Sequence, residues 1–187
     1  MRLTSFYVLS YKQCPASASF AQAGDNTMTT HEILAQVILY ITILLIGISV
    51  GGNVYEILVL DPLWSSSPPE SVRKFFEGTG FAKAMQKFWL SKLAKYSLFF
   101  LIAAVVLAWH IPARRPWLIL ALGTTAATYF LTIRYIFRKK VALFAKAGSG
   151  MSPEAVIRMT RQFLVLDRVR LVFKIATFFF LLRALSL

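Results

Sequence analysis

One acidic side chain in this sequence sits where acids are costly. Glu56 follows a run from Ile33 to Tyr55 that contains no charged residue. A carboxylate facing hydrocarbon costs about 2.5–3.5 kcal/mol at the centre of a bilayer, and less near its edge. Ser49, Gly52, Asn53 and Glu56 recur at i, i+3, i+4 and i+7, so they share one face of a helix whose opposite face is aliphatic. Near the other end of the chain Asp167, Arg170, Lys174 and Thr177 form a second polar stripe at i, i+3, i+7 and i+10. A carboxylate so placed calls for a cation, and Arg170 and Lys174 are the candidates. The pairing would serve either as an ion pair that fixes helix register or as the polar lining of a functional pocket. Residue types alone leave both open.

The elements that carry these residues read as membrane helices. The chain has 187 residues, 57% hydrophobic, a mean hydropathy of +0.62 and a formal net charge of +13. That combination suits apolar spans joined by basic loops. The rival reading of a pI near 10.2 is a nucleic-acid partner. It is set aside because the basic residues flank long apolar runs instead of covering a polar domain. The expected fold class is all-α: a four-helix transmembrane bundle with a short interfacial helix and a cytoplasmic extension of the last helix. The only cysteine, Cys14, allows no internal disulfide. No cofactor or metal is expected.

The first span is expected from about His31 to Leu60, ended by Asp61-Pro62, with Gly47, Gly51 and Gly52 spaced for close helix approach. Ser67, Pro68 and Glu70 predict a capped start for the interfacial helix, which sets Val72, Phe75 and Phe76 against Arg73, Lys74 and Glu77. After Gly78-Thr79-Gly80 a second span begins near Phe81. Its Lys83, Lys87, Lys92 and Lys95 are directed at anionic lipid head groups, and it is uncharged from Tyr96 to Ile111. A tight turn through Pro112 and Pro116 leads into an antiparallel third span, Trp117 to about Phe137, with Thr125, Thr128, Thr132 and Tyr135 along one face. Ser152-Pro153-Glu154 then starts a long last helix. Residues 1–30 are expected to be a disordered tail or a misassigned start, and residues 31–187 a single membrane domain.

Lysine and arginine collect between the first and second spans (Arg73, Lys74, Lys83, Lys87, Lys92, Lys95) and between the third and fourth (Arg134, Arg138, Lys139, Lys140, Lys146, Arg158, Arg161, Arg168, Arg170). The positive-inside rule puts both loops in the cytoplasm and both termini outside, as in a multi-pass protein of a bacterial inner membrane. Glu56 then lies at a depth similar to Arg134, Tyr135, Arg170 and Lys174. His31 and His110 fall together at the opposite surface. Without thiol or carboxylate company they read as interfacial residues and not as metal ligands.

Gly51-Gly52-Asn53-Val54-Tyr55-Glu56, then Pro62-Leu63-Trp64, Pro68-Pro69-Glu70-Ser71 and Asp167-Arg168-Val169-Arg170, resemble four-span membrane proteins of unknown function whose characterised relatives are fungal anthrone oxygenases. In layout the resemblance covers about residues 31 to 185. It implies a cofactor-free reaction in which an acidic carbon of a polycyclic phenol is deprotonated and the carbanion passes an electron to dioxygen. By the same resemblance Glu56 would be the base, with Asn53, Tyr55, Arg170 and Lys174 cradling the enolate. Catalytic triads, phosphate-binding glycine loops and zinc signatures are absent from the sequence. Two other classes therefore stand beside the oxygenase: a non-catalytic accessory subunit of a larger membrane complex, and a small transporter or channel. The expected partners are a bilayer with anionic lipids, a hydrophobic small molecule, or other membrane proteins.

Overall fold

The computed structural model describes residues 29–77, 93–146 and 150–187, and all regular structure among them is helical. Helix α1 spans Thr30–Tyr55 and is closed at its start by a capping box. The Thr29 hydroxyl accepts from the Glu32 N–H, and the Glu32 carboxylate accepts from the Thr29 N–H. The chain does not stop at Asp61-Pro62 as expected. A wide π turn, Glu56–Leu60, passes it directly into α2 (Asp61–Ser65), giving one rod of 36 residues from Thr30 to Ser65. In a regular α-helix the ring of Pro62 would press on the carbonyl four residues back. The widened turn, closed by the Asp61 N–H on the Glu56 carbonyl, lies at that point.

Helix α3 spans Glu70–Glu77. Beside it Ser71, and not the expected Ser67, uses its side chain: the hydroxyl accepts from the Ser67 N–H at 3.2 Å and donates to the Trp64 carbonyl at 2.8 Å. The glycine break at 78–80, the start near Phe81 with Lys83, Lys87 and Lys92, the side chain of Lys95, and residues 1–28 of the tail expected over 1–30 lie outside what is described, while Thr29 and Thr30 form the cap and first residue of α1. Helix α4 (Leu93–Leu107) turns tightly into α5 (Arg115–Leu131). A second π turn, Thr132–Ile136, continues α5 into α6 (Phe137–Lys146). Helix α7, Pro153–Leu185, is 33 residues long and starts where Ser152 predicts, its hydroxyl accepting from the Ala155 N–H.

Packing follows an alternating three- and four-residue rhythm. Ala35, Leu39, Thr42, Ile46, Asn53, Glu56 and Leu60 are buried along the first rod, and Val156, Thr160, Phe163, Asp167, Arg170, Thr177, Leu181 and Ala184 along α7. Ser49 and Lys174 complete the two seams. Such spacing holds a seam toward a neighbour crossing at about 20°. Helix α1 packs on α4 and α7, α5 packs on α7, and α4 touches α5 more lightly.

Two apolar cores result. One lies toward the start of α1 and the end of α7 and includes Leu39, Ile46, Leu101, Leu118 and Leu181. The other joins Trp64, Val72, Ile136, Leu143, Val156 and Phe163 from α2, α3, the second π turn, α6 and the first half of α7. Outward faces are apolar as well: Ile33, Val37, Leu44, Ile48, Phe99, Val106, Ile119, Phe130 and Phe179 are exposed. Thr30–Ser65 and Arg115–Lys139 are long and apolar enough to cross a membrane, and Tyr96–Leu107 is a shorter apolar helix.

Tyr135, Arg134 and Gly51 also depart from their expected placement. The π turn in 132–136 adds a residue to the helical repeat, so Ile136 points inward at 2% exposure while Tyr135, expected on the inner face, is 43% exposed. Arg134, expected near the depth of Glu56, also faces outward. Of the glycines expected to admit a neighbouring helix, Gly47 does so, since a Cβ there would lie 3.3 Å from the Phe178 ring. At Gly51 nothing lies within 4 Å.

Candidate functional site

The two cores are separated by a layer of charge at the α1–α7 seam. Asn53 and Asp167 are fully buried, Glu56 is 4% exposed and Arg170 8%. The Arg170 Nη2 donates to the Glu56 Oε2 at 3.1 Å and also contacts the Asp167 carboxylate. Asn53 is fixed from both sides: its Nδ2 donates to the Asp167 Oδ2 at 3.3 Å, and its Oδ1 accepts from the Lys174 ammonium. Lys174 also donates to the Ser49 hydroxyl at 2.9 Å. The result is a continuous chain, Ser49, Lys174, Asn53, Asp167, Arg170, Glu56, running along the seam. Its two carboxylates balance its two cations, the condition under which charge persists in a low-dielectric interior.

Local sequence explains the arrangement. Asn53 and Glu56 are one turn apart and so project from the same side of α1, while Asp167, Arg170 and Lys174 follow the seam positions of α7. Because the helices run antiparallel, residues later in α1 meet residues earlier in α7. Ser49 thus meets Lys174, Glu56 meets Arg170, and Trp64 stacks edge-on against Phe163 at 5.5 Å. Just beyond the first π turn the buried Asp61 accepts from the Trp64 indole at 3.1 Å.

Four of the five residues expected at the site come together: Asn53, Glu56, Arg170 and Lys174. Tyr55 does not. It is 54% exposed on the outer side of α1, because a helix that turns Asn53 and Glu56 inward carries the intervening residue away from both. The residue the expectation left out is Asp167, which binds both Arg170 and Asn53. Its position one turn before Arg170 was the available signal.

A second, uncharged set of contacts ties α5 to α7. The Thr124 and Thr177 hydroxyls lie 2.8 Å apart, with the buried Thr125 beside them at 3.5 Å from Thr177. Thr128 and Thr132 instead donate to the carbonyls of Thr124 and Thr128, four residues back in their own helix. Chemically, the charged layer offers a carboxylate able to take a proton, beside cations able to hold the resulting anion. Arg170 keeps Asp167 as a partner if Glu56 lets go, so releasing Glu56 strands no cation. Compared with protein-family models, curated proteins and solved structures, the chain matches none.

Proposed function

We propose that the chain is a four-span membrane protein whose buried charged layer is a proton-handling site for a hydrophobic, phenol- or quinone-type small molecule. The observation that carries the reading is the balanced layer Glu56–Arg170–Asp167–Asn53–Lys174 on helices with apolar outer faces. Ionisable groups inside a membrane bundle are costly, if less so near its edge, and are by default candidates for function. Two π turns, in 56–60 and 132–136, belong to the elements that border this layer, and such turns recur at functional sites.

By its resemblance to the anthrone oxygenases, the reaction is oxidation of an activated methylene by dioxygen. The C–H proton passes to Glu56. The carbanion, held as an enolate by Lys174 and Arg170, gives an electron to dioxygen, and the two radicals join in a C–O bond. The peroxide anion takes the proton back from Glu56, and loss of water from the hydroperoxide, with the second C–H hydrogen, leaves a carbonyl, so one oxygen atom enters the product and the other leaves as water. Membranes bearing the protein should consume dioxygen when given an anthrone, and Glu56→Gln should lower the rate at least about 100-fold, the scale of a lost general base. No uptake by the wild type sinks the reading, and an undiminished rate in Glu56→Gln removes Glu56 from it.

A second reading is favoured by one observation: Glu56 is almost wholly buried and already paired. In that reading the layer is a register lock in an accessory subunit of a larger membrane complex. It predicts that the protein purifies with stoichiometric partners and that Glu56→Gln weakens that assembly.

A further inference from the structure

We propose that His31 and His110 together form a bidentate site for a divalent transition-metal ion, at the end of the molecule remote from the charged layer. His31 is in the first turn of α1 and His110 in the turn that follows α4. Their rings lie 4.8 Å apart between centroids, at 74°. Two imidazoles that share one metal through nitrogen at about 2.0–2.1 Å, in neighbouring coordination positions, place their centroids about 5 Å apart. The backbone thus already holds the rings at the spacing chelation needs. Both side chains are exposed, so an ion can reach them from water.

The hydrogen bonding around the pair prepares it for a metal. The His110 Nδ1 lies 2.9 Å from the Leu107 carbonyl. A carbonyl only accepts, so Nδ1 carries the hydrogen and Nε2 presents its lone pair. Backbone carbonyls orient metal-binding histidines in this way. His31 has no hydrogen-bond partner among the described residues, which leaves its ring free to turn toward the same ion. Next to it Glu32 uses Oε2 for the Thr29 cap, at 2.9 Å from the backbone N–H and 3.1 Å from the hydroxyl.

Of the cations nearby, Arg115 is engaged and Arg114 partly so, its Nε and Nη1 being buried without a hydrogen-bond partner among the described residues. Arg114 donates to the Gln36 side chain at 3.3 Å, and Arg115 donates to the Trp109 carbonyl at 2.6 Å and stacks over the Trp109 ring. Among the described residues no group of three or more histidine, cysteine or acidic side chains converges. Water therefore fills the remaining coordination positions and the ion exchanges. An imidazole pair suits copper(II), nickel(II) and zinc(II), with copper(II) held most tightly. An ion on both rings would tie the first turn of α1 to the α4–α5 turn.

The test uses the full chain with Cys14→Ser, purified in detergent micelles without a polyhistidine tag and titrated at neutral pH with copper(II) and with zinc(II). Copper(II) should show nitrogen hyperfine structure in its electron paramagnetic resonance spectrum, and zinc(II) should raise the melting temperature. His31→Ala or His110→Ala should each weaken binding at least tenfold, and the double variant should lose both signals while keeping its helical circular dichroism. Wild type without a nitrogen-ligated copper spectrum, or a double variant that binds as tightly as wild type, overturns the proposal and leaves an edge-to-face ring pair.

Discussion

Arg170 is the residue on which the charged layer turns, because its guanidinium serves two carboxylates from two helices. Truncating it leaves Glu56 and Asp167 buried near each other without their shared cation. Removing one partner of a buried ion pair costs about 3–5 kcal/mol, since the remaining charge keeps its desolvation penalty. Glu56→Gln is milder: the guanidinium keeps Asp167, and the cost is that of a charge-assisted hydrogen bond, about 1.5–3 kcal/mol. Unfolding by denaturant in micelles, followed by circular dichroism, should rank Arg170→Met as the more destabilised of the two. The reverse order would mean that Glu56, and not Arg170, anchors the layer. Both variants should lose turnover in the proposed reaction, since Glu56 takes the proton and Arg170 holds the enolate, so it is the order of stability that tells the two roles apart.

At the scale of the helix the two π turns decide which side chains face inward, and they mark the boundary of what was legible in the sequence. Spacing alone placed Ser49, Asn53 and Glu56 on one face and Arg170 and Lys174 on another, and the fold brings those faces together because uninterrupted helices preserve their repeat. The capped start at Ser152 was legible for the same local reason. Tyr135 was not, since the extra residue of a wide turn rotates everything after it and no local motif announces that turn. Nor was the continuation past Pro62, where the widened turn spares the proline its clash. Tyr55 entered the site through family resemblance, against the helical spacing that points it outward. If the second π turn sets the register, Ile136→Ala should cost about 2–5 kcal/mol, as truncation of a buried isoleucine does. Tyr135→Ala should stay within about 0.5 kcal/mol, as a surface change does. Equal losses from the two, measured by the same denaturation, would argue for a regular helix through 132–136.

For the molecule as a whole, the charged layer gives a depth marker. Glu32 and Asn53 sit in one continuous helix, and at 1.5 Å per residue they lie about 31 Å apart, close to the hydrocarbon thickness of a bilayer. If, as proposed, the chain spans a membrane with the capping box at one face, the layer falls at the opposite boundary. The second apolar core, with α6 and the first half of α7, would then stand beyond that boundary. Arg138, Lys139, Arg158 and Arg161 belong to that part, and in the proposed membrane reading their positive charge would put it in the cytoplasm. The turn between α4 and α5 would face the other way. In a Cys14→Ser background, a cysteine placed at the exposed Ala113 should react with a membrane-impermeant maleimide in intact spheroplasts of a bacterial host. One placed at the exposed Arg158 should react only after the membrane is opened. The opposite pattern would invert the topology and turn the histidine pair toward the cytoplasm. Labelling of both in intact spheroplasts would mean that no membrane separates the two apolar cores, and the charged layer would lose its place at a membrane boundary.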